Sequence, residues 1–386
     1  MRQAVVTSPG VVELQHADTP TPADGEVVVR TRLVGICGSD VHAFHGRHPF
    51  VPLPYRPGHE IYGTVESSRD GSRLAPGTRV VIEPILACGT CKYCRDGRYN
   101  LCATMTFFGC TAPGGGLAEW FAIPEDRAVP IPDELSDDLA VLVEPLSTPV
   151  HAVRLAAGNS TARSSAVGSS TAGNNAAGNN AAGSSATADS ARDSSGTGNS
   201  GDRGGELAGQ TVAILGAGTI GLLTLIAARH AGAARIAVSD LSPAKRDRAA
   251  RLGADSVHDG ADPGMVDAIR DDLGTSADIV FDCVSVQSSV DQAIAIAVKG
   301  GTVVVVGVPA APVTVPLPEI QDLQVRVQGS ATYTRDDIEQ AISMLAAGVV
   351  DPADIITARY PLAKVDEAFA AASSGEHVKV VVTADQ

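Results

Sequence analysis

Positive charge is what this 386-residue sequence has least of relative to its opposite: 29 Lys and Arg stand against 44 Asp and Glu, a formal net charge of -15. That balance disfavours a polyanion such as nucleic acid as the main partner, and no basic patch with interleaved aromatics interrupts it. Long apolar runs are missing too. None approaches the ~20 residues that cross a bilayer, and Met1-Arg2-Gln3-Ala4-Val5-Val6 opens the chain without the apolar segment of an export signal. A soluble, cytoplasmic protein with no membrane partner is the expectation. Disulfides are disfavoured on the same footing: four of the seven cysteines cluster at metal-binding spacing, and without an export signal ligation is the better reading. Cys110 and Cys283 are left without a role. With 44% hydrophobic residues, a chain of this length has material for two cores of ordinary domain size.

What is present is chemistry concentrated in short Gly- and Pro-rich segments. Gly35-Ile36-Cys37-Gly38-Ser39-Asp40-Val41-His42 and Gly58-His59-Glu60 supply a thiol, a hydroxyl, two imidazoles and two carboxylates. Zinc takes Cys sulfur, His nitrogen and carboxylate oxygen, and a catalytic site keeps one position open. Cys37 and His59 supply two ligands, with Glu60 and the later Glu144 as candidates for a third. Glu144 also has a plain reading, since a carboxylate beside Pro145 at a helix start suits the helix dipole. Further along, Cys88-x-x-Cys91-x-x-Cys94-x7-Cys102 gathers four thiols in one local loop, the pattern of a closed structural zinc site. Around these motifs, to about residue 135, short apolar runs broken by Pro and Gly read as a β-rich domain or small barrel: Gln3–Val6, Glu26–Val34, Tyr62–Ser67, Arg79–Ile82 and Leu117–Ile123. The Phe107-Phe108 pair reads first as core.

The second half changes character. Residues 158–205 are Gly, Ala, Ser, Asn and Thr with a repeated Gly-Asn-Asn-Ala-Ala unit at Gly173 and Gly178, a low-complexity insertion expected to be disordered. After it come an apolar strand Gln210–Leu215, Gly216-Ala217-Gly218-Thr219-Ile220-Gly221, a helix through Leu222–Arg229 and a second strand Arg235–Ser239 ending in Asp240. In that context the glycines let a backbone approach a pyrophosphate at a helix N-terminus, and an acid roughly 20 residues on binds the ribose hydroxyls. Asp240 would repel a 2′-phosphate, so NAD is preferred over NADP. Lys245 and Arg246 could favour a phosphate but are expected on a solvated helix face. The remaining elements, helix Pro243–Leu252, strand Ile279–Asp282, helix Ser289–Ala297 and strand Thr302–Val306, alternate as in a doubly wound α/β sheet. Gly307-Val308-Pro309 falls at a strand end where ligands lie. A helix Ile338–Ala346 and a closing strand Val378–Thr383 finish the chain.

The Cys-Gly-Ser-Asp-x-His run, the Gly-His-Glu triplet, the four-Cys lobe and the Gly-x-Gly-x-x-Gly, in this order, resemble the zinc-dependent medium-chain dehydrogenase/reductase family, and most of all its polyol (sorbitol) dehydrogenase branch. The resemblance covers residues 1–157 and 206–386. It implies a GroES-like β-barrel catalytic domain over 1–148, with 329–386 returning to it, and a Rossmann NAD-binding domain over 149–328. It implies two zinc ions per chain and oxidation of a secondary alcohol in a polyol, sugar or cyclitol to the ketone. Ser39 and His42 then form a proton relay, Asp40 fixes the tautomer of His59, Phe108 becomes a candidate substrate wall, and Gly216, Gly218, Thr219, Ile220, Gly221, Asp240, Arg246 and Val308 face the coenzyme. Glu144 stands where many alcohol dehydrogenases of the family carry a third Cys, and the resemblance leaves Glu60 and Glu144 both open as ligands. A homo-oligomer, dimer or tetramer, is implied. An amino-alcohol substrate of the threonine-dehydrogenase kind and a non-catalytic nucleotide-binding member are the competing readings.

Overall fold

The computed structural model describes residues 1–160 and 205–384, so nearly all of the low-complexity insertion lies outside the described residues. Two sheets organise the rest. The first runs Ile356–Pro361, Lys379–Thr383, Glu26–Ile36, Glu60–Ser68, Arg79–Ile82 and Ala128–Pro130, with Trp120–Pro124 also paired to Glu26–Ile36. Its long central strand is buried over most of its length, including all of Leu33–Ile36, and ends at the first metal-ligand motif. The last strand of the chain, Lys379–Thr383, is therefore the direct neighbour of a strand from its beginning, with Val381 opposite Gly35, and Ile356–Pro361 adds the edge beyond it.

The second sheet has six parallel strands in the order Ser256–Asp259, Arg235–Asp240, Thr211–Leu215, Ala277–Asp282, Ala297–Val305, Arg326–Gly329. Strand order reverses between Thr211–Leu215 and Ala277–Asp282, the switch point at whose carboxyl ends α/β proteins bind ligands. The strands are nearly continuous apolar runs because helices cover both faces: Val212, Ala213, Ile214 and Leu215 are all buried.

One apolar core joins the two sheets, running from Leu33, Tyr62 and Val81 through Leu142 and Leu146 to Val212, Leu222 and Tyr333. The helix Val143–Ser160 is its spine, packed against both Thr219–His230 and Arg335–Ala346. It carries Pro149 inside it.

The expected strands are present, Arg79–Ile82 with the same ends and the others with shifted ones. Leu117–Ile123 begins later, at Trp120, because Leu117 and Ala118 are held against the first strand by the Ala4 N–H to Leu117 carbonyl bond and a bridge to Gln3. Sequence reading missed the helices Gly38–Phe44, Met265–Leu273 and Val365–Ser373 and the strands Ser256–Asp259 and Arg326–Gly329. Each is short, and Gly38–Phe44 starts on a Gly that reads as a breaker.

Candidate active site

Cys37, His59 and Glu60 converge, with one ligand atom from each within 4.8 Å of the others. Local structure explains the convergence. Cys37 follows the long strand and caps the helix Gly38–Phe44, and the Asp40 carboxylate, at the third helical position, accepts the Cys37 backbone N–H at 3.1 Å. Glu60 opens the neighbouring strand directly opposite Gly35. That glycine is obligatory, since a Cβ there would lie 1.9 Å from Glu60 Oε2. His59 and Glu60 are buried, while Cys37 is partly exposed.

Two partners of this cluster come from far along the chain. Lys379 Nζ donates to both Glu60 oxygens at 2.6 Å and to the Ile36 carbonyl at 3.2 Å, with both side chains almost fully buried. Burial acts to lower the Lys379 pKa, but Glu60, Cys37 and Glu144 together outweigh it and hold it up, Glu60 first among them. Glu144, buried at the start of its helix, accepts a hydrogen bond from the buried Tyr333 hydroxyl. Burial pushes Glu144 up to about 7, with His59 pulling the other way and Glu60 adding repulsion. Of the two candidate acids it is Glu60 that groups with Cys37 and His59, while Glu144 stands in their electrostatic reach.

The His59 ring is held on both sides. Its Nε2 lies 3.5 Å from Ser39 Oγ, while its Nδ1 faces Cys110 Sγ at 3.6 Å and Asp40 Oδ2 at 3.7 Å. At that distance Asp40 is an ionic neighbour of His59 rather than a close hydrogen-bond partner, and the same carboxylate oxygen accepts the Cys37 N–H. Burial pushes Asp40 up, opposed by His59. Cys110, to which no role was assigned, is a direct neighbour of the imidazole. Ser39 and His42 share one face of the short helix, three residues apart, and no hydrogen bond joins them among the described residues; His42 is exposed. Phe108 is core, its ring tilted at 45° to Phe121 with centroids 5.1 Å apart, as the first reading of the pair expects. The ring beside the cluster is Phe107, edge-on to His59 at 5.4 Å.

The chemistry of the donor groups decides whether these residues fit a metal. One sulfur, one imidazole nitrogen and a carboxylate, with a second carboxylate nearby, match the mixed donor set of a catalytic zinc. Cys88, Cys91, Cys94 and Cys102 also bring their sulfurs within 4.8 Å of one another, all four as free thiols. Backbone N–H groups point into this group: Cys88 N lies 3.3 Å from Cys102 Sγ and Cys91 N 3.4 Å from Cys88 Sγ. Such donors favour thiolate, and hydrogen bonds from Thr90 take Cys88 down to about 5. Four thiolates fit a closed tetrahedral site.

At the second sheet, Gly216 adopts φ +94° at the end of Thr211–Leu215 and Gly218 caps the helix Thr219–His230. A Cβ on Gly221 would lie 1.7 Å from the Gly216 carbonyl oxygen, whereas one on Gly218 would meet nothing, so the turn is tight inside and open outside. Such an opening suits a dinucleotide pyrophosphate at a helix N-terminus. The Asp240 carboxylate accepts the Ala217 and Ser242 N–H groups, each at 2.8 Å. Arg246 departs from the expected solvated face: it folds back to donate to the Asp240 and Leu241 carbonyls at 2.7 and 3.0 Å and pairs with Asp259 at 3.5 Å. Thr219 Oγ1 donates to the Val378 carbonyl at 2.5 Å, tying the turn to the last strand. Ile220 is partly buried against the core, and Val308 is 51% exposed beyond the Ala297–Val305 strand.

A GroES-like sheet joined to a Rossmann sheet of six parallel strands makes this an α/β dehydrogenase architecture. Models of the alcohol dehydrogenase GroES-like domain and of the zinc-binding dehydrogenase match residues 23–133 and 219–347. Sorbitol dehydrogenase of Bos taurus is 31% identical over 388 residues, covering 99% of this chain and 95% of that one. Among solved structures, 2R,3R-butanediol dehydrogenase of Bacillus subtilis is 26% identical with TM-score 0.80, covering 100% and 99% of the two chains. L-Idonate 5-dehydrogenase of Escherichia coli is 26% identical with TM-score 0.79, covering 99% and 97%. The chain belongs to the zinc-dependent medium-chain dehydrogenase/reductase family, in its polyol (sorbitol) dehydrogenase branch. Among the described residues no helix is long and apolar enough to cross a membrane.

Proposed function

We propose that this chain is a zinc-dependent dehydrogenase that transfers hydride from a secondary carbinol of a polyol, sugar or cyclitol to NAD, giving the ketone. The observation that carries the reading is the convergence of Cys37, His59 and Glu60, with Glu144 beside them, in a fold whose second sheet presents an open Gly-rich turn. Sorbitol, butanediol and idonate, the compounds in the names of the similar proteins, share a secondary hydroxyl next to another oxygenated carbon.

Bound by Cys37, His59 and Glu60, zinc would supply Lewis-acid lowering of a hydroxyl pKa, and a bound nicotinamide would supply the hydride acceptor. The protein's own part is to position groups and move a proton. Ser39, 3.5 Å from His59 Nε2, takes the proton from the substrate hydroxyl and passes it toward His42, whose exposed imidazole hands it to solvent. Asp40 and Cys110 hold the far side of the His59 ring. Asp240 selects NAD by repelling a 2′-phosphate, and Arg246 does not offset it because its charge is met by two carbonyls and Asp259. A second zinc in the four-Cys lobe holds structure. The working division is a catalytic domain of residues 1–148 and 329–386 and a coenzyme domain of 149–328, in a cytoplasmic homo-oligomer.

The test is coenzyme reduction by the purified protein over polyols, cyclitols, threonine and simple secondary alcohols, with NAD and NADP in parallel. The reading predicts turnover with a polyol and NAD that is lost on chelation and restored by zinc. Turnover with threonine alone, or turnover indifferent to chelation, would overturn it.

A further inference from the structure

The Tyr333 hydroxyl reaches Glu144 from a stretch with no regular structure of its own, between the strand Arg326–Gly329 and the helix Arg335–Ala346. Thr332, just before it, has φ +50°, a left-handed conformation that a β-branched residue keeps only when its surroundings impose it. Those surroundings belong to the four-Cys lobe. Asn100, two residues before Cys102 and buried, donates from Nδ2 to the Ala331 carbonyl at 3.0 Å and accepts the Thr332 hydroxyl at its own carbonyl at 3.4 Å. Tyr99 Oη accepts the Arg335 backbone N–H at 2.5 Å. Asn100 Nδ2 also lies 3.5 Å from Nε2 of buried His151, whose Nδ1 is 3.0 Å from Asp337. His151 sits two turns beyond Glu144 on the same helix. One amide group therefore touches both the helix that carries Glu144 and the segment that carries Tyr333.

We propose that Tyr333 and Asn100 are positioning residues for the reaction centre: Asn100, anchored in the four-Cys lobe, sets the Tyr333 segment against the Glu144 helix, and the Tyr333 hydroxyl fixes the Glu144 carboxylate beside Cys37, His59 and Glu60. The lobe thereby governs the geometry of a site to which it contributes no ligand. This rests on the reading of that cluster as the zinc and alcohol site. Outer-sphere partners of this kind change metal retention or activity by about 10–100-fold when removed.

The experiment is a double-mutant cycle on the full chain with Tyr333→Phe and Asn100→Ala, with Asn100→Ser in reserve should alanine prevent folding. Three quantities are read: circular dichroism for the fold, the rate at which a chelator withdraws the zinc not held by the lobe, and kcat and KM for the best alcohol of the panel. Tyr333→Phe is expected to lower kcat and to speed zinc withdrawal by about 10–100-fold, with KM changed much less. Asn100→Ala is expected to move both in the same direction. The double variant should match Tyr333→Phe alone, because residues acting along one chain of contacts are not additive. Variants that fold, retain the lobe zinc and behave as wild type, or whose effects simply multiply, would overturn the positioning role while leaving the functional reading intact. Wild-type protein with zinc in the lobe alone and no alcohol turnover would overturn both.

Discussion

Replacing Lys379 by Met should separate the electrostatics of the site from its packing. Lys379 Nζ lies 2.6 Å from each Glu60 oxygen, and neither side chain is more than 2% exposed. Charges roughly 3 Å apart attract by about 5–6 kcal/mol at an effective dielectric of about 20, and removing one partner of a buried pair costs about 3–5 kcal/mol. Met fills similar volume, so the loss is almost all the uncompensated Glu60 carboxylate. Urea unfolding of the zinc-stripped protein, followed by circular dichroism, should show a loss of about 3–5 kcal/mol. Adding Glu60→Gln should recover most of it, because a buried pair replaced on both sides is nearly neutral. In the zinc-loaded protein the same Lys379→Met substitution should cost less, because Glu60 then has a second cation. A loss below about 1 kcal/mol in both forms, the range of solvent-screened surface pairs, would refute the reasoning. So would a loss larger in the zinc-loaded form, which would mean that Glu60 is not a ligand.

Asp240→Ala should raise the NADP to NAD ratio of kcat/KM by at least about tenfold, a shift of about 1.4 kcal/mol, measured with one alcohol at fixed pH. Cys94→Ser should remove one zinc per chain and lower the unfolding midpoint while leaving the second zinc, as metal analysis and calorimetry would show. Asp255 gives a pH test. Burial acts to raise it, but Arg229 and the Ile236 N–H, both at 2.7 Å, take it below its ordinary 3.8. Its contribution to stability is therefore full above pH 3.8 and lost as pH falls through the lower folded value. Asp255→Asn should flatten that acid limb of the unfolding midpoint against pH and leave the neutral region parallel to wild type.

The parts of the site legible in the sequence are those whose members lie close together in the chain. The four-Cys lobe and the Gly216–Gly221 turn are each built by one local segment, and Cys37, His59 and Glu60 come from adjacent strands whose ends were roughly placed. The parts that escaped depend on long-range pairing. Lys379 meets Glu60 across 319 residues, and Tyr333 meets Glu144 across 189. Nothing local marks either, although a lysine opening an otherwise apolar last strand, Lys379–Thr383, is a buried charge in need of a partner. Phe107 and Phe108 show the same limit at short range: Phe107 ends the strand Thr106–Phe107, Phe108 falls in the turn after it, and the pairing of that strand with Ile85–Leu86 sets Phe107 beside His59. Arg246 was misplaced because helix periodicity sends it to solvent, whereas the open carbonyls after the Arg235–Asp240 strand draw it back.

The most direct test of the central claim, that the cluster of Cys37, His59 and Glu60 holds the metal on which alcohol oxidation depends, is zinc content measured together with turnover in wild type and Cys37→Ala. Two zinc ions per chain in wild type, one in the variant with the lobe zinc kept and the fold unchanged, and loss of NADH formation in step with the missing ion would bear the account out. Equal zinc content in the two proteins, or undiminished turnover in the variant, would contradict it.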